Sequence, residues 1–167
     1  GVRQAIRWSF DRYEYGTTHA FAACADWLDL YHRYNGNWER QLVTLSETID
    51  HMAFDALRHP EYAYARPGET YSREAFAEAI EEEQLERAEG LVGRGLEDGL
   101  HFPEMERALT EAALSHYNDF GHSLIYVQKT GELIASLLLA SFGWVPAMYS
   151  AWLRMPSLSG SAFGPET

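Results

Sequence analysis

The sequence predicts an all-α fold: a single-domain bundle of about six helices ending in an apolar C-terminal helix. Three observations carry that reading. Apolar residues recur at helical spacing in segment after segment, and Gly, Asn and Pro punctuate the gaps between segments. No stretch shows sustained polar/apolar alternation closed by hairpin turns. At 167 residues the chain has the length of one domain with one core. The expected division is a bundle over 1–155 and an extended or mobile Ser/Gly/Pro-rich tail over 156–167.

In chain order, Ile6, Phe10 and Tyr13 mark a short amphipathic opener over about Arg3 to Tyr13. After Gly16, Thr17 or Thr18 can cap a second helix to about Tyr34, with Phe21, Trp27, Leu28 and Tyr31 on its apolar side. Asn35-Gly36-Asn37 ends it, because Gly and Asn tolerate the left-handed conformation at a helix C-terminus. A third helix runs from about Trp38 to Leu57, and its expected buried stripe is Leu42, Leu45, Ile49, Met52 and Ala53. His59-Pro60 stops it, since proline disfavours a helical residue before it. Glu61 to Thr70 reads as an ordered surface loop.

Ser72 caps a fourth helix to about Leu96, with Glu74 near its positive end. Gly90, Gly93, Gly95 and Gly99 are expected to fray or bend it before Leu100, each interior glycine costing about 0.5–1 kcal/mol against Ala. Pro103 suits the first turn of a fifth helix with Met105, Leu109 and Leu114 inward. That helix runs through His116 or breaks at Asn118-Asp119. A sixth carries Leu124, Ile125, Val127 and Leu133 to Phe142, and Pro146 kinks or ends it.

Composition narrows the function classes. A formal net charge of −12, with no Lys/Arg cluster, argues against phosphate-backbone binding and against docking on an anionic membrane. Six glutamates between Glu78 and Glu89, facing only Arg87, read first as a solvated helix face. Cys24 is the only cysteine, so one chain can form neither a disulfide framework nor a thiolate cage. A reducing, cytoplasmic setting fits, with Cys24 as a small buried hydrophobe. The chain starts at Gly1, without Met or a signal segment, and reads as a trimmed chain or a piece of a longer one.

Leu133 to Leu153 carries no charge over 21 residues, close to the ~20 a spanning helix needs. Ser136, Ser141, Gly143, Pro146 and Ser150 interrupt it, which favours a bundle core or subunit interface over a membrane-associated role. Trp144, Tyr149 and Trp152 suit contact with a protein partner or a second copy.

Two constellations could carry chemistry. His116, Asp119 and His122 fall within roughly a 120° sector if one helix holds all three. Imidazole and carboxylate suit Zn or Fe, leaving positions open for water or substrate. Gly121 removes bulk beside them. The competing reading makes Asn118 and Asp119 a helix cap and the histidines satisfied core residues. Glu47, His51, Asp55 and His59 step by four along the third helix. Glu47 with His51 could ligate a metal with Asp55 orienting His51, or the ladder is exposed charge worth only ~0.3–0.5 kcal/mol per pair. His19, early in its helix, sits where a bundle end would place it, whereas His32 reads as surface. There is no adjacent His-Asp pair, Gly-x-Ser-x-Gly elbow, His-Glu-x-x-His, or pair of Glu-x-x-His motifs.

Tyr15-Gly16-Thr17-Thr18-His19-Ala20-Phe21 and the stretch His116-Tyr117-Asn118-Asp119-Phe120-Gly121-His122-Ser123-Leu124-Ile125-Tyr126 resemble segments of the questin-oxidase-like helical family. The resemblance implies an α-helical oxidoreductase, with ring-opening oxygenation as the family's named activity and His19, His116 and His122 as the matching positions. The chain is much shorter than those proteins and has neither a dinucleotide fingerprint nor Cys/His pairs for an iron–sulfur cluster, so a catalytic partner or longer parent chain would be needed. The resulting expectation is an oxidoreductase-type domain within a larger assembly, whose His/Asp site binds Fe, Zn or haem or transfers protons, a task suited to imidazole. In that reading His116, Asp119 and His122 are catalytic, His19 binds cofactor, and His51, Glu47, His116 and His122 are metal ligands. The alternative is a non-catalytic structural or accessory subunit of a redox or membrane-associated complex.

Overall fold

A computed structural model describes Val2, Ala5, Ile6, Arg12 and residues 19–117 and 121–138. Among these, six helices and no strand are present: α1 (His19–Arg33), α2 (Trp38–Arg58), α3 (Arg73–Glu81), α4 (Leu85–Glu97), α5 (Phe102–Ser115) and α6 (His122–Leu138). The chain is all-α, as its periodicity predicts. Phe10, Tyr13, Thr17, Thr18, Asp119, Phe142 and the whole of 139–167 lie outside the described residues.

Packing runs along the bundle as α2 on α1, α1 on α6, α6 on α5, α5 on α3 and α3 on α4. Helices α1 and α6 are parallel, because His19 meets His122 and Asp26 meets Lys129. Lys129 Nζ lies 2.6 Å from Asp26 Oδ1 and 2.8 Å from Glu132 Oε2, pinning the two helices in register. Those bonds raise the Lys129 pKa and lower that of Glu132. Gly131 on α6 lets the helices close, since a Cβ there would come within 2.8 Å of the Phe102 ring at the start of α5. Phe21, Cys24, Met52, Phe76, Leu91, Met105, Val127 and Leu133 share one core, joined by Ile6 from the N-terminal segment. Cys24 is fully buried, and desolvation pushes its thiol to about 12.

The α1–α2 connection follows the sequence closely. Gly36 takes φ +85°, and Asn37 caps α2 by accepting from the Arg40 N–H at 3.1 Å. His59 is extended ahead of Pro60, and its N–H donates to the Asp55 carbonyl at 3.0 Å.

The buried stripe of α2 differs from expectation. Thr44, Thr48, Met52 and Asp55 face inward, whereas Leu42 and Ile49 are exposed. Both threonine hydroxyls donate backwards, Thr44 to the Gln41 carbonyl at 2.8 Å and Thr48 to the Thr44 carbonyl at 2.9 Å. With the hydroxyl satisfied inside its own turn, the γ-methyl can be buried at little polar cost. A count of apolar residues cannot register that. Leu114 on α5, expected inward, is likewise exposed, and Ile125 on α6 is exposed too.

The expected fourth helix is two. Its break falls at Glu82-Glu83-Gln84, where Glu83 adopts φ +55°, and the glycines lie in or after an intact α4. The physical role of Gly90, Gly93 and Gly95, inside α4, is close approach. A Cβ on Gly90 would stand 3.0 Å from the Arg66 carbonyl oxygen and 3.3 Å from the Gly68 nitrogen, and one on Gly93 would meet Pro67. The loop before α3 therefore lies directly on α4, with the Gly68 N–H donating to the Gly90 carbonyl at 3.0 Å. Glu89, 4% exposed, clasps the same loop by accepting from the Tyr62 hydroxyl and the Ala65 N–H, each at 3.0 Å. Arg87 adds bonds to Glu69 and Glu78, joining loop, α4 and α3.

At the start of α5 the His101 N–H donates to the Glu104 carboxylate, the Glu104 N–H donates back to the His101 carbonyl at 3.1 Å, and Pro103 occupies the first turn. No helix among the described residues is long and apolar enough to cross a membrane. For the charge-free run this speaks only to its first part, through Leu138.

Candidate functional site

His19 and His122 are the first residues of α1 and α6. Because the two helices run parallel, both imidazoles sit at the same end of the bundle, with ring centroids 5.6 Å apart and planes at 82°. The two ring planes are thus nearly perpendicular. His19 is exposed and His122 half-buried. Neither position advertises the other in the sequence, since they stand 103 positions apart. Only the parallel α1/α6 packing makes them neighbours.

His116 goes elsewhere. It forms the C-terminal cap of α5, and its Nε2 lies 3.1 Å from Glu81 Oε1 at the end of α3. With a carboxylate as acceptor, Nε2 carries the proton, and the pair ties α5 to α3. His116 and His122 therefore belong to different helices, and the single-helix sector expected for His116, Asp119 and His122 does not form. Gly121, at φ +80°, stands just before α6, and the Tyr117 ring occupies the space beside it: a Cβ there would come within 2.8 Å of the Tyr117 hydroxyl. The bulk that glycine omits admits that tyrosine rather than a ligand. Asp119 lies outside the described residues.

The α2 ladder also separates. His51 is exposed and Glu47 partly so, while Asp55 is buried 3.6 Å from His59 Nε2. Asp55 thus addresses His59, four residues on, rather than His51. Arg12 Nη1 donates to the His59 carbonyl at 3.3 Å and Nη2 to Glu61 at 3.1 Å, fastening the N-terminal segment to the end of α2. His32 makes an edge contact with Tyr31 at the surface, as expected. No group of three or more His, Cys, Asp or Glu side chains able to hold a metal ion occurs among the described residues.

One exposed feature escaped sequence reasoning. Trp38, Leu42, Val43, Ile49, Phe54 and Leu57 all project from α2 into solvent, Leu57 at 86% exposure and Trp38 at 69%. The signal was present as excess apolar residues in one helix, but periodicity assigned part of them to the core. Comparison with protein families, with curated proteins and with solved structures finds no match for this chain.

Proposed function

We propose that the chain is a helical oxidoreductase-type domain centred on the His19–His122 pair, which offers two imidazole donors to a divalent metal such as Fe or Zn. The observation that carries this reading is the meeting of two histidines from the two segments that resemble the questin-oxidase-like family, far apart in sequence, at one end of parallel α1 and α6. The fit is one of donor chemistry and spacing. An ion bonded to one nitrogen of each ring at about 2.0–2.1 Å lies roughly 3.2 Å from each centroid, so centroids up to about 6.4 Å apart can share it. Their observed separation, 5.6 Å, falls inside that limit. Two protein donors leave the remaining positions to water, reactant or a partner chain. Within the site His19 and His122 bind and orient. The Lys129–Asp26 contact farther along the same two helices holds their register.

Titration of the purified chain with Co2+, followed by absorption and calorimetry, tests the proposal. One site is expected, lost in His19→Ala and in His122→Ala and retained in His51→Ala. Binding that is equal in all four proteins, or absent from the wild type, overturns it. A second reading, a structural or accessory subunit, is favoured by the exposed apolar face of α2.

A further inference from the structure

We infer that the exposed face of α2 is the contact surface for a second copy of this chain, packed antiparallel through α2 itself. At 100° per residue, Trp38, Leu42 and Ile49 fall within about 40° of one another, and Leu57, Val43 and Phe54 begin about 60° further round. The opposite side of the helix, carrying Thr44, Thr48 and Met52, is already buried in the core. The apolar face is therefore additional to what folding the described bundle consumes.

Area and charge select the occupant. The six side chains expose on the order of 700 Å2, close to the ~800 Å2 each partner contributes to a standard-size interface. A two-fold axis at the level of Thr48 sets Trp38 of one copy against Leu57 of the other and Leu42 against Phe54, with the exposed Asp50 of each copy flanking the axis. The same axis brings the first turn, bearing Glu39, to the last turn of the partner, bearing Arg58. The Arg58 guanidinium lies 4.1 Å from the Phe54 ring centroid, along this face rather than away from it. Opposed helix dipoles favour the same antiparallel sense.

The test uses the full chain. Sedimentation over a wide concentration range should show a reversible dimer, with Leu42→Asp and Leu57→Asp each weakening it about tenfold or more while leaving the helical circular dichroism unchanged. A photo-crosslinking phenylalanine analogue placed at Leu42, in a mixture of heavy-isotope and ordinary chains, should give mixed-isotope crosslinks to the region of Phe54. A monomer at every concentration, a dimer indifferent to both aspartates, or crosslinks confined to residues 139–167 of the same chain would each overturn the inference.

Discussion

Removing the Glu89 side chain should release the loop that precedes α3. Glu89→Ala deprives the Ala65 N–H and the Tyr62 hydroxyl of their acceptor. Each orphaned donor costs about 1–2 kcal/mol, less for the half-buried tyrosine, which water can reach. Against this stands relief of a buried carboxylate, whose pKa burial raises despite the two bonds that lower it. The net expectation is a loss of about 1–2 kcal/mol in urea denaturation, with faster exchange of the Ala65 amide. Glu89→Gln keeps an acceptor and most of the volume, and should lose about 1 kcal/mol or less at neutral pH. A folded-state pKa above the unfolded one means that the contribution is fully present below the unfolded value, about 4.3, and is lost as pH rises through the folded value. Wild type should therefore gain on Glu89→Gln as pH falls from neutrality toward that range. An alanine variant within about 0.5 kcal/mol of wild type, or a difference from the glutamine variant that shrinks on acidification, would refute the clasp.

Three further outcomes follow from single positions. Glu83→Gly, at φ +55°, should stabilise the chain by about 0.5–1 kcal/mol in thermal or urea unfolding, since glycine takes the left-handed conformation without a Cβ penalty. Gly131→Ala should cost about 1–3 kcal/mol by overpacking Phe102, and pairing it with Phe102→Leu should recover part of that loss. Cys24, buried and with its thiol at about 12, should resist iodoacetamide in the native state and react at the rate of global unfolding, which mass spectrometry can follow against urea.

Fold class was legible because helix breaks are written locally. Gly36 with Asn37, Pro60 after His59, Ser72 and Pro103 each act through their own turn, and each marks an observed boundary. The break at Glu82-Glu83-Gln84 was not legible, because Glu83 is a helix-favouring residue held at positive φ by its surroundings. The candidate site was half legible. Histidines in two separate stretches stood out, but their grouping by sequence proximity joined His116 to His122, and packing instead joined His122 to His19 and His116 to Glu81.

By itself the sequence determined which residues become helix, where most helices stop, and that Cys24 is inert and buried, since these depend on local backbone chemistry and on composition. Tertiary structure alone decided which face of α2 turns inward, what the α4 glycines are for, and which imidazoles meet. A threonine satisfied by its own turn packs like an apolar residue, a glycine matters through the chain lying against it, and parallel α1 and α6 bring together side chains that no local rule connects.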